Sequence, residues 1–246
     1  MAISKNKIKY IAALQLKKNR LEQGLFIVEG EKTVSELLKQ SSFKIQTICA
    51  IEEWISEHKS ELKSIEVLEV NHTELARVSA LKTPNKVLAI VSIPEFSIPS
   101  ALNNQLCLVL DNLQDPGNLG AIIRIADWFG IEHIFCSTNT VECYNPKVLQ
   151  ASMGSFLRVK VHYLPLITLF EQFPKKLRYG AVLDGADIRK AELPKDLFLV
   201  IGNEGKGLSD EIISKITHPI SIPRLGTAES LNAAVATGIL CAMFKL

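Results

Sequence analysis

The chain contains 246 residues, of which 47% are hydrophobic and 22% are charged, and its formal net charge is +2. This length suits one large domain or two modest ones, and the composition is typical of a soluble protein with a substantial core. No apolar stretch reaches the ~18–20 residues of a membrane span, and the N-terminus lacks the apolar segment of a secretion signal. The five cysteines are scattered without a C-x-x-C pair, which favours buried reduced thiols over disulfides or zinc ligands. We therefore expect a cytoplasmic protein that binds no metal and no membrane.

The positive charge is concentrated near the N-terminus. Six basic residues precede the first acidic residue, Glu22: Lys5, Lys7, Lys9, Lys17, Lys18 and Arg20. Such an arm creates a local positive field that attracts phosphates. A run of charge is also typical of a solvated basic helix, and the sequence leaves both interpretations open.

Residues 1–93 alternate between helical and strand patterns, which predicts a compact layered α/β domain. The spacing of apolar residues predicts helices at 7–20, 31–39, 52–58 and 73–78. Short apolar runs predict strands at 26–28, 45–50, 65–70 and 86–91. Pro94 and Pro99 then follow among serines, and these prolines can continue neither a helix nor a central strand. We therefore predict a linker over residues 94–104 and a second domain over residues 105–246.

The second domain is predicted to contain a mostly parallel sheet that is covered on both faces. Its apolar runs have the length of strands, and most are followed by polar or glycine-rich loops. These predicted strands span residues 106–110, 131–136, 159–164, 181–183, 197–201 and 219–222. A connecting helix is predicted over residues 147–156, directly after Pro146. The expected fold class of the whole chain is therefore α/β.

The first of three polar loops follows the strand at residues 106–110. It leads into a predicted helix that runs from Leu119 to Gly130, a transition at which α/β enzymes bind ligands. Asn118 lies at the helix entrance, where an N-cap role is the alternative interpretation. Arg124 lies one to two turns further on, where a surface ion pair with Asp127 is the alternative.

The second loop, at residues 202–209, contains three glycines directly after a buried strand. Gly202, Gly205 and Gly207 allow backbone to approach a ligand closely. Their spacing matches neither a phosphate-binding P-loop nor a dinucleotide-binding loop. Glu204 at the centre of the loop would repel phosphate, so a neutral or cationic ligand suits the loop better. A tight turn without a ligand is the alternative.

The third loop leads from the strand at residues 219–222 into a helix that Ser230 is predicted to cap. This helix is rich in small residues that permit close packing against a ligand, another helix or a second subunit: Ala233, Ala234, Ala236 and Gly238. A tightly packed core helix with a serine cap is the alternative. That alternative leaves Asn232 without an obvious purpose.

Taken in order, the three loops resemble the motifs of the SpoU (TrmH-like) family in the SPOUT superfamily of RNA methyltransferases. The first matches motif one, Asp-Pro-x-Asn-x-Gly-Ala followed by Arg, Ala and Phe-Gly. The second matches motif two, Gly-x-Glu-Gly-x-Gly, and the third matches motif three, Ile-Pro and Gly followed by Ser-Leu-Asn and Gly-Ile. The resemblance extends from residue 106 to the C-terminus. The N-terminal unit is similar to the ribosomal-protein-like RNA-binding domain that is often fused ahead of such catalytic domains.

The resemblance implies a fold and an activity that composition and spacing do not reveal. The catalytic domain of such proteins has a deep trefoil knot at its C-terminal end, an exception to the near-absence of knots in proteins. S-adenosylmethionine binds in a bent form among the knotted loops. The enzymes are homodimers in which motif one of one subunit completes the site of the other. The reaction transfers a methyl group to a ribose 2′-hydroxyl of RNA.

The resemblance also implies roles for residues by their positions in the motifs. Gly202, Ile222 and Leu231 would contact the cofactor, mainly through their backbone. Leu183 would also contact the cofactor, beside its adenine. Five polar residues match the catalytic centre: Asn118, Arg124, Glu204, Ser230 and Asn232. The chain departs from the pattern after Pro223, where Arg224 and Leu225 stand in place of the methionine and further residue common in relatives.

The chemistry of the reaction limits what these residues must do. A sulfonium methyl group is already electrophilic, so the site needs no metal but must position the reactants in line and manage the hydroxyl proton. The family proposal makes the arginine the base, which conflicts with the permanent charge of a guanidinium group. We therefore expect Arg124 to hold a phosphate and to stabilise developing alkoxide charge. Ser230 and Asn232 would orient the groups around Arg124. Glu204 would hold the geometry of its own loop or of Asn118.

The sequence thus predicts an S-adenosylmethionine-dependent RNA 2′-O-ribose methyltransferase that acts on ribosomal RNA as a homodimer. Transfer RNA is the alternative substrate. A non-catalytic RNA-binding or ribosome-assembly protein of the same fold is the alternative from another class, and the presence of all five polar residues argues against it. An enzyme that acts on a small molecule without RNA is a third alternative. The basic N-terminal arm and the additional domain argue against that one.

Overall fold

The computed structural model describes residues 3–81 and 83–246 and divides the chain into two compact units. The first comprises the described residues up to Glu95 together with Tyr144–Leu149, and the second comprises Phe96–Cys143 and Gln150–Leu246. Both units mix helices with a sheet, so the predicted α/β fold class is confirmed. No described helix is long and apolar enough to cross a membrane, and no group of three or more described His, Cys, Asp or Glu residues could hold a metal ion.

Helices and strands alternate along the first unit. Its strands are β1 (Leu25–Glu29), β2 (Ile45–Ala50), β3 (Glu66–Glu69) and β4 (Val87–Ser92). Its helices are α1 (Lys5–Ala13), α2 (Lys17–Gln23), α3 (Glu31–Leu37), α4 (Glu52–Glu57) and α5 (His72–Val78). The strand order is β1-β4-β2-β3, in which β4 is antiparallel to both neighbours and β2 is parallel to β3. The four strands predicted in this region are therefore confirmed.

The single helix predicted over residues 7–20 is wrong, because α1 ends at Ala13 and a turn separates it from α2. Arg20 stabilises this turn. Its Nη1 donates hydrogen bonds to the backbone carbonyl oxygens of Leu14 at 2.9 Å and Gln15 at 2.6 Å. The side chain is buried, so one member of the basic run binds the backbone of its own unit instead of facing solvent.

The second unit is built on a six-stranded sheet. Its strands are β5 (Leu106–Leu110), β6 (His133–Cys136), β7 (Lys160–Tyr163), β8 (Leu177–Asp187), β9 (Leu197–Ile201) and β10 (His218–Ser221). The helices that lie wholly in this unit are α6 (Pro116–Trp128), α8 (Leu166–Gln172), α9 (Asp210–Ile213) and α10 (Ala233–Lys245), whereas α7 (Pro146–Ser152) belongs to the first unit up to Leu149. The strand order is β10-β8-β9-β5-β6-β7, and every neighbouring pair is parallel. The predicted parallel sheet is therefore confirmed.

The two central strands explain why the sheet forms and where the site lies. All five residues of β5 and all five of β9 are buried, as unbroken apolar runs require when both faces of a sheet are covered. Phe135 and Phe198 pack edge to face beside Phe170 of α8. Because the strands are parallel, their carboxyl ends meet at one edge of the sheet. The three polar loops identified in the sequence all begin at that edge.

Two elements predicted between residues 105 and 246 have the wrong extent. The strand predicted at residues 181–183 is the middle of β8, which is 11 residues long. The helix predicted over residues 147–156 is divided, because α7 ends at Ser152 and a 3₁₀ turn follows at Ser155–Leu157. Between them, Met153 and Gly154 have φ angles of +50° and +89°, which a continuous helix does not permit.

Two histidines on neighbouring strands form a hydrogen-bonded pair inside the second unit. His133 of β6 and His162 of β7 are buried, and 3.0 Å separates His133 Nδ1 from His162 Nε2. One nitrogen donates and the other accepts, so the pair is broken if both rings become charged. Burial lowers the pKa of His133, and burial followed by the charge of His133 lowers the pKa of His162 to about 4.

We expect this pair to reduce the stability of the protein in mild acid. In the unfolded chain His162 has its ordinary pKa of 6.5, so the unfolded state binds a proton before the folded state does. Above pH 6.5 His162 is neutral in both states, and its stabilising contribution is complete. As the pH falls from 6.5 toward 4, proton binding to the unfolded chain lowers the free energy of unfolding by about 3 kcal/mol. Urea unfolding between pH 7 and pH 4 measures this loss. The variant His162→Phe should show a smaller decrease, and an equal decrease in both proteins would contradict the assignment.

Candidate active site

The first turn of α6 places the Asn118 side chain inside the protein. Asp115 is the N-cap of this helix, because its Oδ1 accepts a hydrogen bond from the backbone N–H of Asn118 at 2.8 Å. The helix therefore begins at Pro116 instead of near Leu119, and the N-cap interpretation of Asn118 is wrong. Asn118 is 9% exposed, and its side-chain amide is available to other loops.

The carboxylate of Glu204 is held by donors from the first and second loops. Its Oε1 accepts from Asn118 Nδ2 at 3.0 Å and from the backbone N–H of Asp115 at 3.2 Å. Its Oε2 accepts from the backbone N–H of Gln114 at 3.4 Å and from Asn203 Nδ2 at 3.3 Å. Burial raises the pKa of Glu204, but the hydrogen bonds, that from Asn118 first, outweigh burial and bring the pKa below its usual value. Glu204 is therefore an ionised carboxylate at neutral pH.

Asn232 connects the third loop to the same cluster. Its Nδ2 donates to Asn118 Oδ1 at 2.8 Å, while its Oδ1 accepts from the backbone N–H of Ala234 at 2.9 Å and of the next residue. Asn232 is thus the N-cap of α10, and the prediction that Ser230 caps this helix is wrong. A continuous set of hydrogen bonds, here called the amide chain, runs from Asn232 through Asn118 to Glu204. It joins all three loops.

We expect Asn232→Ala to lower the free energy of unfolding by about 2 kcal/mol, because it removes a helix cap and leaves the buried Asn118 oxygen without its donor. Asn232→Asp keeps the cap but cannot donate to Asn118. It should therefore lose only the stabilisation that the hydrogen bond between Asn232 and Asn118 contributes. Urea unfolding separates the two contributions. Equal losses in both variants would show that the cap contributes nothing and would contradict this account.

A cavity of about 680 Å³, here called the main cavity, lies at the carboxyl ends of β9 and β10. The loops that follow these strands form most of its wall, and the remaining lining residues come from β8, β9, β10, α9 and α10. Six of the nine residues predicted for catalysis or cofactor binding line it: Leu183, Gly202, Glu204, Ile222, Ser230 and Leu231. Asn118 and Asn232 do not line it but reach its wall through Glu204.

The second loop closes tightly on itself at Gly202. Asn203 and Gly207 exchange two backbone hydrogen bonds of 2.9 and 3.0 Å. A Cβ atom on Gly202 would lie 2.3 Å from the carbonyl carbon of Gly207 and 2.4 Å from the nitrogen of Leu208. Gly207 has a φ of +71°, a left-handed conformation that favours glycine. The loop is therefore a tight turn, and its backbone forms part of the wall of the main cavity.

Arg124 is exposed and does not line the main cavity of its own chain. Its Nη1 donates to the sulfur of Met153 at 2.9 Å, which is a weak acceptor for a guanidinium group. The alternative ion pair with Asp127 is wrong, because Asp127 binds Arg158 at 2.7 Å and Ser155 at 2.8 Å. The hydrogen bond from Arg158 lowers the pKa of Asp127. Arg124 therefore has no acidic partner in the described part of the chain.

The sequence hypothesis missed three residues that hold Glu204: Gln114, Asp115 and Asn203. Asn203 Oδ1 accepts from the backbone N–H groups of Gly205 at 3.0 Å and Lys206 at 3.1 Å, which is an Asx turn. An Asn two residues before a Gly is the local signal for such a turn. Asp115 is also recognisable, since Asp directly before Pro is a helix-start signal. Gln114 has no comparable signal, because its contacts depend on other loops.

A parallel α/β unit with a large cavity among polar loops at the carboxyl ends of its strands belongs to the ligand-binding α/β proteins. The profile of the SpoU rRNA Methylase family matches residues 105–242, and the profile of the MRM3-like substrate binding domain matches residues 5–89. The chain belongs to the SpoU rRNA methylase family, as the three motifs predicted.

Individual relatives match over most of their length. The chain is 30% identical over 238 residues to the Bacillus subtilis 23S rRNA (guanosine(2553)-2'-O)-methyltransferase RlmP, which covers 95% of this chain and 94% of that protein. It is 27% identical over 213 residues to the Neisseria meningitidis 23S rRNA (guanosine-2'-O-)-methyltransferase RlmB, which covers 77% and 84%. The AdoMet-bound rRNA methyltransferase from Sinorhizobium meliloti matches with a TM-score of 0.90 at 28% identity, over 99% of this chain and 97% of that one.

Proposed function

We propose that this chain transfers a methyl group from S-adenosylmethionine to a ribose 2′-hydroxyl of ribosomal RNA. The observation that carries the proposal is the amide chain, which joins all three motif loops at the wall of one cavity. Two relatives are named 23S rRNA guanosine 2′-O-methyltransferases, and a solved relative is an AdoMet-bound rRNA methyltransferase. These names support the cofactor and favour ribosomal over transfer RNA.

The main cavity fits S-adenosylmethionine in size and chemistry. Its volume of about 680 Å³ lies within the range of ligand sites, roughly 300–1,000 Å³. Leu183, Ile222 and Leu231 provide apolar surface for the adenine, and the loop at Gly202 presents backbone hydrogen-bonding groups. The ionised Glu204 suits a cationic sulfonium. When bound, the cofactor supplies an electrophilic methyl group.

The residues of this chain would position the RNA and stabilise its charge. Ser230 lines the main cavity, and its hydroxyl has no hydrogen-bond partner among the described residues, so it can orient the ribose. The amide chain holds the first and third loops against Glu204 before substrate arrives. Arg124 remains positively charged, so it can bind a phosphate and stabilise the alkoxide that develops as the hydroxyl loses its proton. Holding the 2′-oxygen in line contributes several kcal/mol to the rate.

A second copy of the chain would complete this site. Arg124 does not line its own main cavity, so it must act elsewhere if it acts in catalysis. The packed helices α6 and α10 leave apolar side chains exposed: Trp128, Val235, Ile239 and Leu246. Exposed apolar surface of this kind is typical of an interface. In a two-fold dimer formed through these helices, each subunit would contribute Arg124 to the other's cavity.

The N-terminal part would bind the RNA. We assign this role to residues 1–93, joined by a linker at 94–104 to a catalytic domain at 105–246. Lys5, Lys9 and Lys17 are exposed and can contact phosphates, and the substrate-binding profile covers residues 5–89. The trefoil knot and the cytoplasmic location stay predictions. The five cysteines are free and buried, which suits a reducing compartment.

The test is transfer of radiolabelled methyl groups from S-adenosylmethionine into unmodified ribosomal and transfer RNA. We expect incorporation into ribosomal RNA, at a ribose 2′-oxygen that makes the next phosphodiester bond resistant to alkali. Incorporation into transfer RNA alone would contradict the proposed substrate. Failure to bind S-adenosylmethionine in a calorimetric titration would instead support the non-catalytic alternative.

A further inference from the structure

A second cavity, of about 330 Å³, lies at the carboxyl ends of β5, β6 and β7. We call it the side cavity. It shares none of its lining residues with the main cavity. In open parallel sheets, ligands bind beyond the carboxyl ends of the strands. None of the roles proposed above for catalysis or cofactor binding uses this cavity.

Two carboxylates determine which chemical groups the side cavity accepts. Asp111 is 5% exposed, and its Oδ2 accepts from the backbone N–H and the hydroxyl of Ser209, both at 2.8 Å. Its Oδ1 has no hydrogen-bond partner among the described residues. Glu211 is exposed at the rim, and its carboxylate has no partner in the described part of the chain either. Asp111 lines the side cavity, so its open carboxylate oxygen can accept a hydrogen bond from a donor that binds there.

The remaining wall excludes anions and favours a flat, partly apolar group. No lysine or arginine lines the side cavity among the described residues, so a phosphate would find no counter-charge. Leu166, Ile167 and Ile212 provide apolar surface. The exposed Thr138 and Asn139 add hydrogen-bonding groups at the mouth. A nucleobase combines an apolar ring face with a polar edge, whereas a hydrated amine has only polar groups to offer.

The side cavity is connected to the candidate catalytic centre through Gln114. Its Nε2 donates to Asn112 Oδ1 at 2.9 Å and to the carbonyl oxygen of Asn139 at 2.7 Å, and both asparagines line the side cavity. The backbone N–H of Gln114 donates to Glu204 at 3.4 Å. Asn203 of the second loop donates to the carbonyl oxygen of Asn112 at 2.8 Å. A group bound in the side cavity would therefore lie beside the loops that form the main cavity.

We propose that the side cavity binds a guanine base of the RNA substrate, with the carboxylates of Asp111 and Glu211 accepting hydrogen bonds from guanine N1 and N2. Guanine presents two adjacent donors on its Watson–Crick edge, which match two carboxylate acceptors. Adenine, cytosine and uracil each place a ring nitrogen or carbonyl acceptor there, and a carboxylate repels it. Proteins read unpaired RNA bases in this way, by hydrogen bonds to that edge and packing against the ring. This proposal rests on the proposed function, because it assumes an RNA substrate.

The test uses the full chain with ¹³C-labelled isoleucine methyl groups and NMR titrations of guanosine, inosine and adenosine 5′-monophosphates. Inosine lacks only the N2 amino group. We expect guanosine monophosphate to shift the signals of Ile167 and Ile212 and to bind about tenfold more tightly than inosine monophosphate. Glu211→Ala, which removes the acceptor, should reduce the affinity for guanosine monophosphate to the inosine level. The matched control Glu132→Ala, at an exposed glutamate at the amino ends of the strands, should behave as the natural chain.

Three outcomes would overturn the proposal. These are equal affinity for adenosine monophosphate, an unchanged affinity in Glu211→Ala, and tighter binding of spermidine at the same two isoleucines, which would identify an amine site. Titration with S-adenosylmethionine, followed at Ile220 and Ile222 of the main cavity, keeps the two proposals distinguishable. If those signals do not move, the proposed function fails. If they move but guanosine monophosphate leaves Ile167 and Ile212 unchanged, only the guanine site fails.

Discussion

Arg124→Ala is expected to lower the rate constant of methyl transfer about 10²–10³-fold while S-adenosylmethionine binds as before. In the proposed mechanism the guanidinium group stabilises negative charge on the RNA, and Arg124 does not line the main cavity of its own chain. Arg124→Lys keeps the charge but loses the planar donor group, so an intermediate rate is expected. Single-turnover kinetics give the rate, and calorimetry gives the affinity. Full activity in Arg124→Ala would contradict this mechanism but not the family assignment.

A surface arginine of the same unit provides the control for this substitution. Arg189 forms an ion pair of 2.7 Å with Asp187 and does not line the main cavity. Its replacement by alanine should leave the rate unchanged, because an exposed ion pair contributes little. A comparable loss of rate in Arg189→Ala would show that the assay responds to net charge instead of to the position of Arg124.

Mixed dimers test whether Arg124 acts on the partner's site. A heterodimer that combines one Arg124→Ala subunit with one subunit unable to bind cofactor retains one intact site if the arginine acts across the interface. It retains none if the arginine acts within its own chain. We expect about half of the natural rate per heterodimer, since a two-fold dimer has two equivalent sites. An inactive heterodimer would contradict the shared site.

Gly202→Val is expected to abolish detectable binding of S-adenosylmethionine and to lower the free energy of unfolding by about 3 kcal/mol. Any Cβ at this position would lie within 2.3 Å of the Gly207 backbone, and valine adds two further methyl groups. Backbone cannot move aside as a flexible side chain can, so the loop between Asn203 and Gly207 must open. Calorimetric titration and urea unfolding measure the two effects.

Gly226 offers a matched control within the same cavity. It also lines the main cavity, but a Cβ atom there would meet no heavy atom within 4 Å. Gly226→Ala should therefore keep its stability and its affinity for cofactor. If Gly202→Val binds S-adenosylmethionine as Gly226→Ala does, the second loop is not the cofactor loop. The close approach of Gly202 to the Gly207 backbone would then serve only to form a turn.

Local patterns in the sequence were sufficient to predict most strands and helices of both units. The unbroken apolar runs of β5 and β9 can be buried only in a sheet covered on both faces, and their bounds agree with the prediction. Helix starts are harder to predict, because several neighbouring residues can cap the same helix. The alternative cap at Asn118 and the predicted cap at Ser230 are wrong, because Asp115 and Asn232 make the capping hydrogen bonds.

The order of the loops and their chemical character also came from the sequence. The three motifs lie after predicted strands, and their glycines and polar residues by themselves indicate a ligand site. The family follows from those motifs. Which side chains touch does not, because the partners in the amide chain are 86 and 114 residues apart.

Only the tertiary structure decided those contacts, and sheet order is the physical reason. β5 and β9 are distant in the chain but adjacent in the sheet, which brings the first two loops together and places Asn118 against Glu204. The packing of α10 on α6 then brings Asn232 to Asn118. Strand pairing also created the His133–His162 pair and the side cavity, neither of which has a local sequence signal. The sequence by itself determined the elements, the loops and the family, and long-range pairing decided which side chains act together.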